Sequence, residues 1–437
     1  MKIILLTPGT GSYYCGVCMR DNALAKELIR QGHDAIMLPM YLPLTLDDAP
    51  VSNDTPIFYG GINVYLQQKF ALFRHTPRWL DHLLNHRGLL RRVAQQSGMT
   101  GGAEIGELTH SMLLGEEGRQ GKELEALIEW LLQHGRPDAI WLSTALLVGL
   151  ARRISKALAV PVLCSLQGED AFLDSLSAPW KERCWAALAE RAQDVDRFIA
   201  PSRYFAELMR TRMNLAENKL RIIPNGIAVE SLDVRTPPIT PTIGYLARMI
   251  EGKGLGQVID AFILLKQRQG FSDLRLRCAG AVTREDERYV QALKARLAQA
   301  GCLDAVEFLP NVSREEKSRF LESITLLSVP AGYGEAFGLY LLEALAAGVP
   351  VVQPRVAAFP EIIETSGGGV LYEPKTADAL AGAWEALLAE PRKIEELGEC
   401  GRAAVKSEYS LSVMAERFIE ATQACGGARL PVGCIAE

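Results

Sequence analysis

Two glutamates, Glu335 and Glu343, lie eight positions apart in the segment EAFGLYLLEALAAGVPVV. Glu335 falls in a glycine-flanked loop, and Glu343 falls inside the apolar pattern of the helix that follows. The loop can present the backbone N–H groups of Ala336, Phe337 and Gly338 to an anionic or hydroxylated ligand. A carboxylate two turns deeper can accept paired hydrogen bonds from sugar hydroxyls, as acidic residues do for ribose in other nucleotide sites. Either glutamate alone is equally consistent with an exposed helix charge.

A C-x-x-C pair, Cys15 and Cys18, lies in the segment GTGSYYCGVCMRDN after the first apolar run. A structural zinc site would need a second C-x-x-C or a C-x-x-H, and the sequence contains neither. A redox pair stays open as an alternative, because a helix N-terminus favours the thiolate. The simplest interpretation is a glycine loop in which Gly9, Gly11 and Gly16 allow a sharp turn between the first strand and the helix that follows. The N-terminus of that helix is suited to bind an anion.

The elements that must position these residues alternate between strand and helix patterns. Apolar runs that predict strands occur at 34–43, 138–143, 160–166 and 197–202. The first helix is predicted to bury Ala23, Leu24, Leu28 and Ile29. A second series begins at residue 242, and the turn after its first predicted strand carries Arg248 and Lys253. Its later strands are predicted at 274–280, 305–312, 324–331 and 350–356. Such alternation predicts α/β units with doubly wound parallel sheets.

Length and composition limit the function classes. At 437 residues the chain is predicted to form two α/β domains. A net charge of −5 argues against a nucleic-acid-binding protein. No apolar run approaches the ~20 residues of a membrane span, and Pro8 and Gly9 interrupt the first run before any signal-peptide pattern. The nine scattered cysteines are typical of reduced thiols, so a cytoplasmic location is expected.

Two stretches break the regular pattern. The segment 71–120 concentrates Arg, His and Leu, which predicts either an exposed helical insertion or a helix that contacts a membrane surface. Its histidines 75, 82 and 86 lie beside basic residues and without nearby cysteine ligands, so a solvated face is favoured over a metal site. Three prolines in VRTPPITPT, residues 234–242, predict an interdomain linker.

Four motifs together closely resemble the retaining glycosyltransferases of family GT4. They are Glu-x7-Glu, Arg-x4-Lys-Gly in GYLARMIEGKG, IIPNGI at 222–227 and GH at 32–33. The resemblance implies the GT-B fold, in which two Rossmann-like doubly wound domains face a cleft. An acceptor-side domain is expected at 1–233, with an insertion at about 71–120, and a sugar-nucleotide domain at 243–409 after the linker. A C-terminal helix at 410–437 is expected to cross back to the first domain.

The resemblance also assigns roles in the second domain. Arg248 and Lys253 would bind the donor diphosphate and stabilise charge on the leaving group. Glu343 would hold the ribose, and Glu335 would lie beside the donor sugar. Backbone contacts to the donor are expected from Ala336, Phe337, Gly338 and Leu339. The family needs no metal, so no metal site and no cofactor beyond the nucleotide-sugar co-substrate is expected.

In the first domain, the resemblance lets Gly16 bring the backbone close to donor phosphate or acceptor, with Cys15 and Cys18 supporting that loop. Many relatives carry His-Gly-x-Asp after the predicted strand at 160–166, whereas this chain has QGED. Gln167 cannot accept a proton at neutral pH, but it can donate a hydrogen bond to a sugar hydroxyl. Asp170 matches the motif and is predicted as a site residue, with a loop-capping carboxylate as the alternative.

Three hypotheses follow. The first is a retaining, metal-independent transferase that moves a hexosyl unit from a nucleotide-sugar to an acceptor. The acceptor would be a carbohydrate, a lipid-linked molecule or a small molecule. Peripheral contact with the inner membrane surface is an option for this enzyme. The second is a nucleotide-sugar-binding protein with little turnover, because Gln167 replaces the histidine. The third is a nicotinamide-dependent redox enzyme. It is disfavoured because TPGTGSYYCG does not fit G-x-G-x-x-G and MLPMYLP ends without an acidic residue.

Overall fold

The structure of the protein is a computed structural model that describes residues 1–9, 16–44, 46, 49–52, 55–77, 102–229 and 237–426. The described chain forms two compact units. Unit 1 contains Met1–Pro224 together with the chain from Met414 onward, and unit 2 contains Asn225–Val413. Residues 237–242, the described part of the proline-rich segment, therefore fall within unit 2.

Unit 1 is built on a six-stranded sheet. Its strands are β1 (Lys2–Thr7), β2 (Asp34–Pro39), β3 (Ala139–Leu142), β4 (Val162–Ser165), β5 (Arg197–Ala200) and β6 (Leu220–Ile222). They lie in the order β2-β1-β3-β4-β5-β6, and every neighbouring pair is parallel. Central strands of a parallel sheet are covered on both faces and are therefore apolar throughout. Accordingly, β3 (AIWL) and β4 (VLCS) are buried at every position.

Helices connect the strands of unit 1. They are α1 (Gly16–Arg30), α2 (Gly61–Lys69), α3 (Gly102–Leu113), α4 (Gly121–Gln133), α5 (Ala151–Leu158), α6 (Glu169–Ser175), α7 (Trp180–Arg191) and α8 (Arg203–Arg212). The start of α8 shows how the sequence sets such boundaries. The Ser202 side chain accepts a hydrogen bond from the Phe205 N–H, which satisfies one backbone donor of the first turn.

Unit 2 contains a second six-stranded parallel sheet. Its strands are β7 (Thr242–Leu246), β8 (Arg275–Gly280), β9 (Val306–Pro310), β10 (Leu326–Leu327), β11 (Val351–Pro354) and β12 (Gly369–Tyr372). The order is β12-β11-β10-β7-β8-β9, so the chain builds the sheet outward in both directions from the β7–β10 pair. This is the strand order of a Rossmann fold.

The helices of unit 2 cover both faces of its sheet. They are α9 (Leu255–Lys266), α10 (Glu287–Gln299), α11 (Arg314–Glu322), α12 (Leu339–Ala346), α13 (Phe359–Ser366), α14 (Ala377–Leu388) and α15 (Pro391–Glu408). The fully buried Trp384 of α14 donates its indole N–H to the Ser328 hydroxyl at 2.9 Å, directly after β10. The Ser328 hydroxyl in turn donates to the Val352 carbonyl oxygen at 2.8 Å. These bonds fix the start of the loop that follows β10.

The last described helix, α16 (Leu411–Gly426), continues from α15 and contributes to the core of unit 1. Phe418 stacks on Trp141 of β3, with ring centroids 4.1 Å apart and ring planes 15° from parallel. Arg221 and Glu420 add an ion pair at 2.9 Å. An aromatic stack against a central strand anchors α16 through buried apolar area.

Some local expectations differ from the structure. Ile29 was predicted to face the core but is 47% exposed. Ile29 lies on the same side of α1 as the buried Cys18, Asn22 and Ala25, so the predicted face is right. Its exposure belongs instead to the last turn of the helix, which ends at Arg30. The basic, leucine-rich part of the predicted insertion, including histidines 82 and 86, lies outside the described residues. Within the described chain, no helix combines the length and apolarity needed to cross a bilayer.

Candidate active site

The loops that leave β7 and β10 meet where the strand order of unit 2 reverses. The Gly332 N–H donates to the Gly252 carbonyl oxygen at 2.7 Å and joins the two loops directly. Gly254 has φ +78°, and a Cβ atom there would lie 2.2 Å from the Pro330 carbonyl oxygen. Only glycine readily adopts this φ and also leaves room for the Pro330 carbonyl oxygen. Ligands of open α/β sheets bind at the carboxyl ends of the strands at such a reversal.

Lys253 and Glu335 form an ion pair across these two loops. The Lys253 Nζ lies 2.5 Å from Glu335 Oε2, and the two side chains are only 18% and 14% exposed. The Tyr340 hydroxyl donates to the same carboxylate oxygen at 3.1 Å. The Lys253 ammonium also lies 5.0 Å from the centre of the Tyr333 ring and 5.8 Å from that of Tyr340. The ammonium is thus held by one carboxylate and two aromatic rings.

The surroundings of the pair set the protonation of Lys253 and Tyr340. Burial alone would lower the pKa of Lys253, but the charge of Glu335, its hydrogen bond and the contribution of Tyr333 together outweigh burial and raise that pKa above its usual value. Burial and the adjacent Glu335 charge both raise the pKa of Tyr340. Lys253 therefore remains a cation and Tyr340 remains a neutral hydrogen-bond donor at physiological pH.

Arg248 follows β7 and is clamped by a residue that the sequence did not single out. Its Nε donates to Asp286 Oδ2 at 3.0 Å, and its Nη2 donates to Asp286 Oδ1 at 3.1 Å. The Asp286 side chain is 7% exposed, whereas that of Arg248 is 46% exposed. Burial would raise the pKa of Asp286, but hydrogen bonds from Arg248 and Thr283 outweigh it and hold that pKa below its usual value. The Asp286 carboxylate, which clamps Arg248, is therefore ionised at neutral pH.

Glu343 also forms an ion pair, in this case through a single contact. It lies in α12, and its Oε1 is 2.6 Å from the Nζ of Lys317 on α11. Both side chains are slightly more than one-quarter exposed. A half-open carboxylate of this kind can exchange a protein partner for ligand hydroxyls at little desolvation cost.

The start of α12 offers backbone donors. Gly338 precedes the helix with φ +93°, and the side chains of Ala336 and Phe337 are buried. Within the described residues, the N–H groups of Phe337, Gly338 and Leu339 donate to no acceptor. Unpaired N–H groups in the first turn of a helix are suited to an anion or a hydroxyl.

In unit 1, the loop after β4 carries Gln167 and Asp170. Glu169, which lies between them, has a structural role: Oε1 accepts bonds from Thr144 Oγ1 and the Ala145 N–H, while Oε2 accepts from the N–H groups of Gln167 and Gly168. The Gln167 Nε2 group is buried and donates to no described residue. Its hydrogen-bonding capacity is therefore unused within the described chain.

Asp170 lies in the first turn of α6. Burial raises the pKa of its carboxyl, with the neighbouring charge of Glu169 adding to the shift and hydrogen bonds from the backbone opposing it. A carboxylate that folding makes harder to ionise is more typical of a functional position than of a helix cap. The site role of Asp170 nevertheless stays a prediction.

The C-x-x-C segment is described from Gly16 onward, so Cys15 lies outside the described residues. Gly16 is the first residue of α1, and a Cβ atom there would contact no atom of the described residues within 4 Å. Packing against the described part of unit 1 therefore gives no reason for glycine at this position. Cys18 is fully buried, and its sulfur accepts a hydrogen bond from the Thr7 hydroxyl at 3.8 Å. The same hydroxyl lies 3.2 Å from Asp21 Oδ2. Across the described chain, no group of three His, Cys, Asp or Glu residues could hold a metal.

Comparison with known proteins identifies the family. The profile of "Glycosyl transferases group 1" matches residues 233–404, and that of "Glycosyltransferase Family 4" matches residues 110–231. The chain belongs to the family 4 glycosyltransferases. The two matched regions cover most of unit 2 and the second half of unit 1.

Some curated relatives of this glycosyltransferase align with about half of the chain, and others align with most of it. It is 31% identical over 218 residues to a phosphatidyl-myo-inositol mannosyltransferase of Mycobacterium leprae, an alignment that covers 48% of this chain and 55% of the relative. It is 24% identical over 396 residues to a D-inositol 3-phosphate glycosyltransferase of Pseudarthrobacter chlorophenolicus, covering 84% of this chain and 90% of the relative. The chain thus spans about half of the first relative and nearly all of the second.

Solved structures agree on the fold. A sucrose-phosphate synthase from Thermosynechococcus elongatus superposes with a TM-score of 0.71 at 17% identity, covering 98% of this chain and 100% of that one. Anabaena HepE in complex with UDP superposes with a TM-score of 0.66 at 15% identity, covering 97% and 100%. The glycosyltransferase therefore has the two α/β units of the GT-B fold, as its sequence predicts.

Of the predicted donor residues of this glycosyltransferase, the structure brings Lys253 and Glu335 together. Arg248 and Glu343 instead contact Asp286 and Lys317, neither of which was predicted. Asp286 follows β8, the neighbour of β7, and the shared sheet edge was a signal that could have pointed to it. The position of Lys317 on α11 carries no comparable signal.

Proposed function

We propose that this glycosyltransferase moves a hexosyl unit from a nucleotide-sugar to an acceptor hydroxyl, with retention of anomeric configuration and without a metal. The observation that carries the proposal is the Lys253–Glu335 pair at the strand reversal of unit 2. It places a permanent cation, suited to phosphate, in contact with a carboxylate, suited to sugar hydroxyls. A sugar joined to a diphosphate carries phosphate oxygens and hydroxyl groups side by side, so it can meet the lysine and the glutamate together.

Each proposed donor contact has a local basis. The Lys253 ammonium and the Arg248 guanidinium would neutralise the diphosphate, and the N–H groups at the start of α12 would add donors. Glu343 would exchange Lys317 for the ribose hydroxyls. Positive groups fixed in place before the reaction stabilise the leaving group most when its charge develops, so they act on the rate as well as on binding.

The proposed step breaks the bond between the sugar C1 and the phosphate oxygen. The acceptor oxygen forms its bond to C1 on the same face, and its proton passes to an oxygen of the departing diphosphate. No basic side chain is then required. Gln167 would orient a sugar hydroxyl by donating its unpartnered Nε2 hydrogen bond, which a glutamine does as well as a histidine.

The names of the relatives guide the choice of substrates. Two of them are named for inositol-containing acceptors, one a phosphatidyl lipid and one a soluble phosphate. The donor is GDP-mannose in the name of a Corynebacterium glutamicum relative, and UDP-glucose in one HepE complex. We therefore propose a polyol, carbohydrate or lipid-linked acceptor. The cytoplasmic location and a peripheral membrane contact stay predictions.

A donor panel tests the function. The protein is incubated with UDP-, GDP- and ADP-hexoses, with EDTA, in the presence and absence of mixed polyol, phosphopolyol and lipid-linked acceptors. We expect one donor to release nucleoside diphosphate in proportion to acceptor, with EDTA having no effect, and NMR to show the donor's anomeric configuration in the product. An inverted product or dependence on a divalent metal would contradict the proposed mechanism.

The alternative hypothesis, binding with little turnover, makes a different prediction. It requires nucleotide-sugar affinity in calorimetry without release of diphosphate from any donor. It also requires Gln167→His to restore turnover. A Gln167→His variant with unchanged or lower activity than an active parent would exclude this alternative.

A further inference from the structure

We propose that Asp286 is a positioning residue that orients the Arg248 guanidinium toward the donor diphosphate. This inference rests on the proposed function, and it names a residue that none of the four sequence motifs contains. It concerns how Arg248 is held before any donor arrives.

The Asp286 carboxylate is fixed by its own loop. Its Oδ2 atom accepts hydrogen bonds from the Thr283 N–H at 2.9 Å and from the Thr283 hydroxyl at 2.8 Å. The same oxygen accepts from Arg248 Nε, and Oδ1 accepts from Arg248 Nη2. With 7% exposure, the carboxylate has little freedom to turn elsewhere. The loop between β8 and α10 therefore presents a rigid acceptor to Arg248.

The backbone of Arg248 is fixed as well. The Tyr245 hydroxyl donates to the Arg248 carbonyl oxygen at 3.0 Å, and Tyr245 itself is fully buried. On either side of Arg248, the Ala247 and Met249 N–H groups donate to the Ala279 and Ala281 carbonyl oxygens at 3.2 and 3.0 Å. The backbone on either side of Arg248 is thus attached to the end of β8, and its guanidinium is attached to the loop that follows β8, so one orientation of the guanidinium is selected.

This orientation determines which nitrogen meets the ligand. Asp286 occupies Nε and Nη2, and Nη2 also lies 3.4 Å from the Thr283 hydroxyl. Within the described residues, Nη1 donates to no acceptor, and the side chain is 46% exposed. Nη1 therefore carries the two N–H groups that are available to a phosphate oxygen. A two-point carboxylate fork fixes the plane of a guanidinium, which a single contact does not.

Stability alone does not account for the arrangement. Arg296 and Asp260 form an ion pair at 2.7 Å between α10 and α9, and both of their side chains are more than 40% exposed. Such surface pairs contribute little to folding. Asp286 differs because its carboxylate is buried, doubly bonded by Thr283 and located at the sheet edge where the donor loops meet. Burial of a carboxylate is unfavourable unless its partner is held in a defined geometry.

The test compares Asp286→Asn with Asp260→Asn as the matched control. Loss of orientation impairs the transition state more than ground-state binding, because Arg248 remains a cation. We expect kcat to fall by about tenfold or more, with the donor KM changed less than threefold. Asp260→Asn should leave both constants unchanged. Thr283→Val, which keeps the carboxylate but loses one hydroxyl bond, should show a smaller decrease in kcat.

A double-variant cycle separates positioning from a general structural effect. If Asp286 acts through Arg248, then Asp286→Asn has no further effect on kcat in an Arg248→Ala background. An equal decrease in both backgrounds, or an unchanged kcat in the single variant, would overturn the proposal. If Asp286→Asn fails to fold, the same comparison is made with Thr283→Val.

A readout without substrate keeps this inference separate from the proposed function. In ¹⁵N NMR, the Arg248 Nε–H signal should exchange slowly with water in the unsubstituted protein and rapidly in Asp286→Asn. A fast-exchanging signal in the unsubstituted protein would refute the clamp. Absence of turnover with every donor would instead refute the proposed function.

Discussion

The ion pair between Lys253 and Glu335 makes Glu335→Gln the most informative substitution in the site. In the structure the Lys253 ammonium is already neutralised by a carboxylate oxygen 2.5 Å away. A nucleoside diphosphate that lacks the sugar must compete with this carboxylate for the ammonium and is repelled by its charge. Glutamine keeps the size of the side chain and removes the charge. We therefore expect the affinity for free nucleoside diphosphate to rise in the variant.

The size of the effect follows from the bond that is lost. Hydrogen bonds to charged groups contribute about 1.5–3 kcal/mol, and neutral ones about 0.5–1.5 kcal/mol. The diphosphate then competes with an acceptor weaker by about 1 kcal/mol, which corresponds to roughly fivefold tighter binding. Turnover of the intact donor should change in the opposite direction. If Glu335 contacts the sugar in the transition state, its loss should lower kcat by about 100-fold.

Calorimetry with UDP, GDP and ADP measures the first effect, and diphosphate release measures the second. Glu307→Gln serves as the control, since Glu307 pairs with Arg277 at 2.6 Å on strands β9 and β8 and is 52% exposed. This control should change neither quantity. Unchanged or weaker binding of the free diphosphate to Glu335→Gln would refute the idea that Glu335 and phosphate compete for Lys253.

Three further predictions concern Glu343, the Cys15/Cys18 pair and Asp170. Glu343→Gln should weaken nucleoside diphosphate binding by about 1–3 kcal/mol in calorimetry, through loss of a charged acceptor for hydroxyls; unchanged affinity would leave Glu343 a structural role. The double variant Cys15→Ser/Cys18→Ser should fold, keep most transferase activity and lower the thermal midpoint slightly, whereas stoichiometric zinc in the unsubstituted protein would indicate a metal centre. Burial raises the pKa of Asp170 in the folded protein above its value in the unfolded chain. The free energy of unfolding therefore decreases as the pH rises from the pKa of the unfolded chain through the pKa of the folded protein. Asp170→Asn should therefore raise the thermal midpoint at pH 7 but not at pH 2, and an equal shift at both pH values would contradict this cause.

The sequence predicts the central strands because they are buried on both faces and therefore appear as continuous apolar runs. The two strands that it did not predict, β6 and β12, lie at the edges of their sheets. β6 (LRI) has no buried residue, and β12 (GVLY) has one. Edge strands gain less from apolar side chains, so hydrophobic periodicity carries little information about them.

The site was predicted less completely, for a physical reason. Motif spacing selected Lys253 and Glu335, which are 82 residues apart and in contact. It did not select Asp286 or Lys317, which lie 38 and 26 residues from the charges they neutralise. Which of many charged residues form a pair depends on loop geometry, and no local pattern in the sequence encodes that geometry.

Three of the charges expected to meet the donor are compensated by other residues of the protein. Lys253, Arg248 and Glu343 each contact an opposite charge from a different loop or helix. For Lys253 and Glu343, the proposed donor binding would therefore be an exchange of partners, which lowers the net gain from phosphate contacts alone. Arg248 would instead keep Asp286 and offer its Nη1 group. On the proposed function, the exchange would favour the intact donor, because a sugar can compensate Glu335 when phosphate takes its lysine. After transfer, the diphosphate would no longer carry the sugar, so Glu335 would again compete for Lys253 and the same ion pair would promote release of the product.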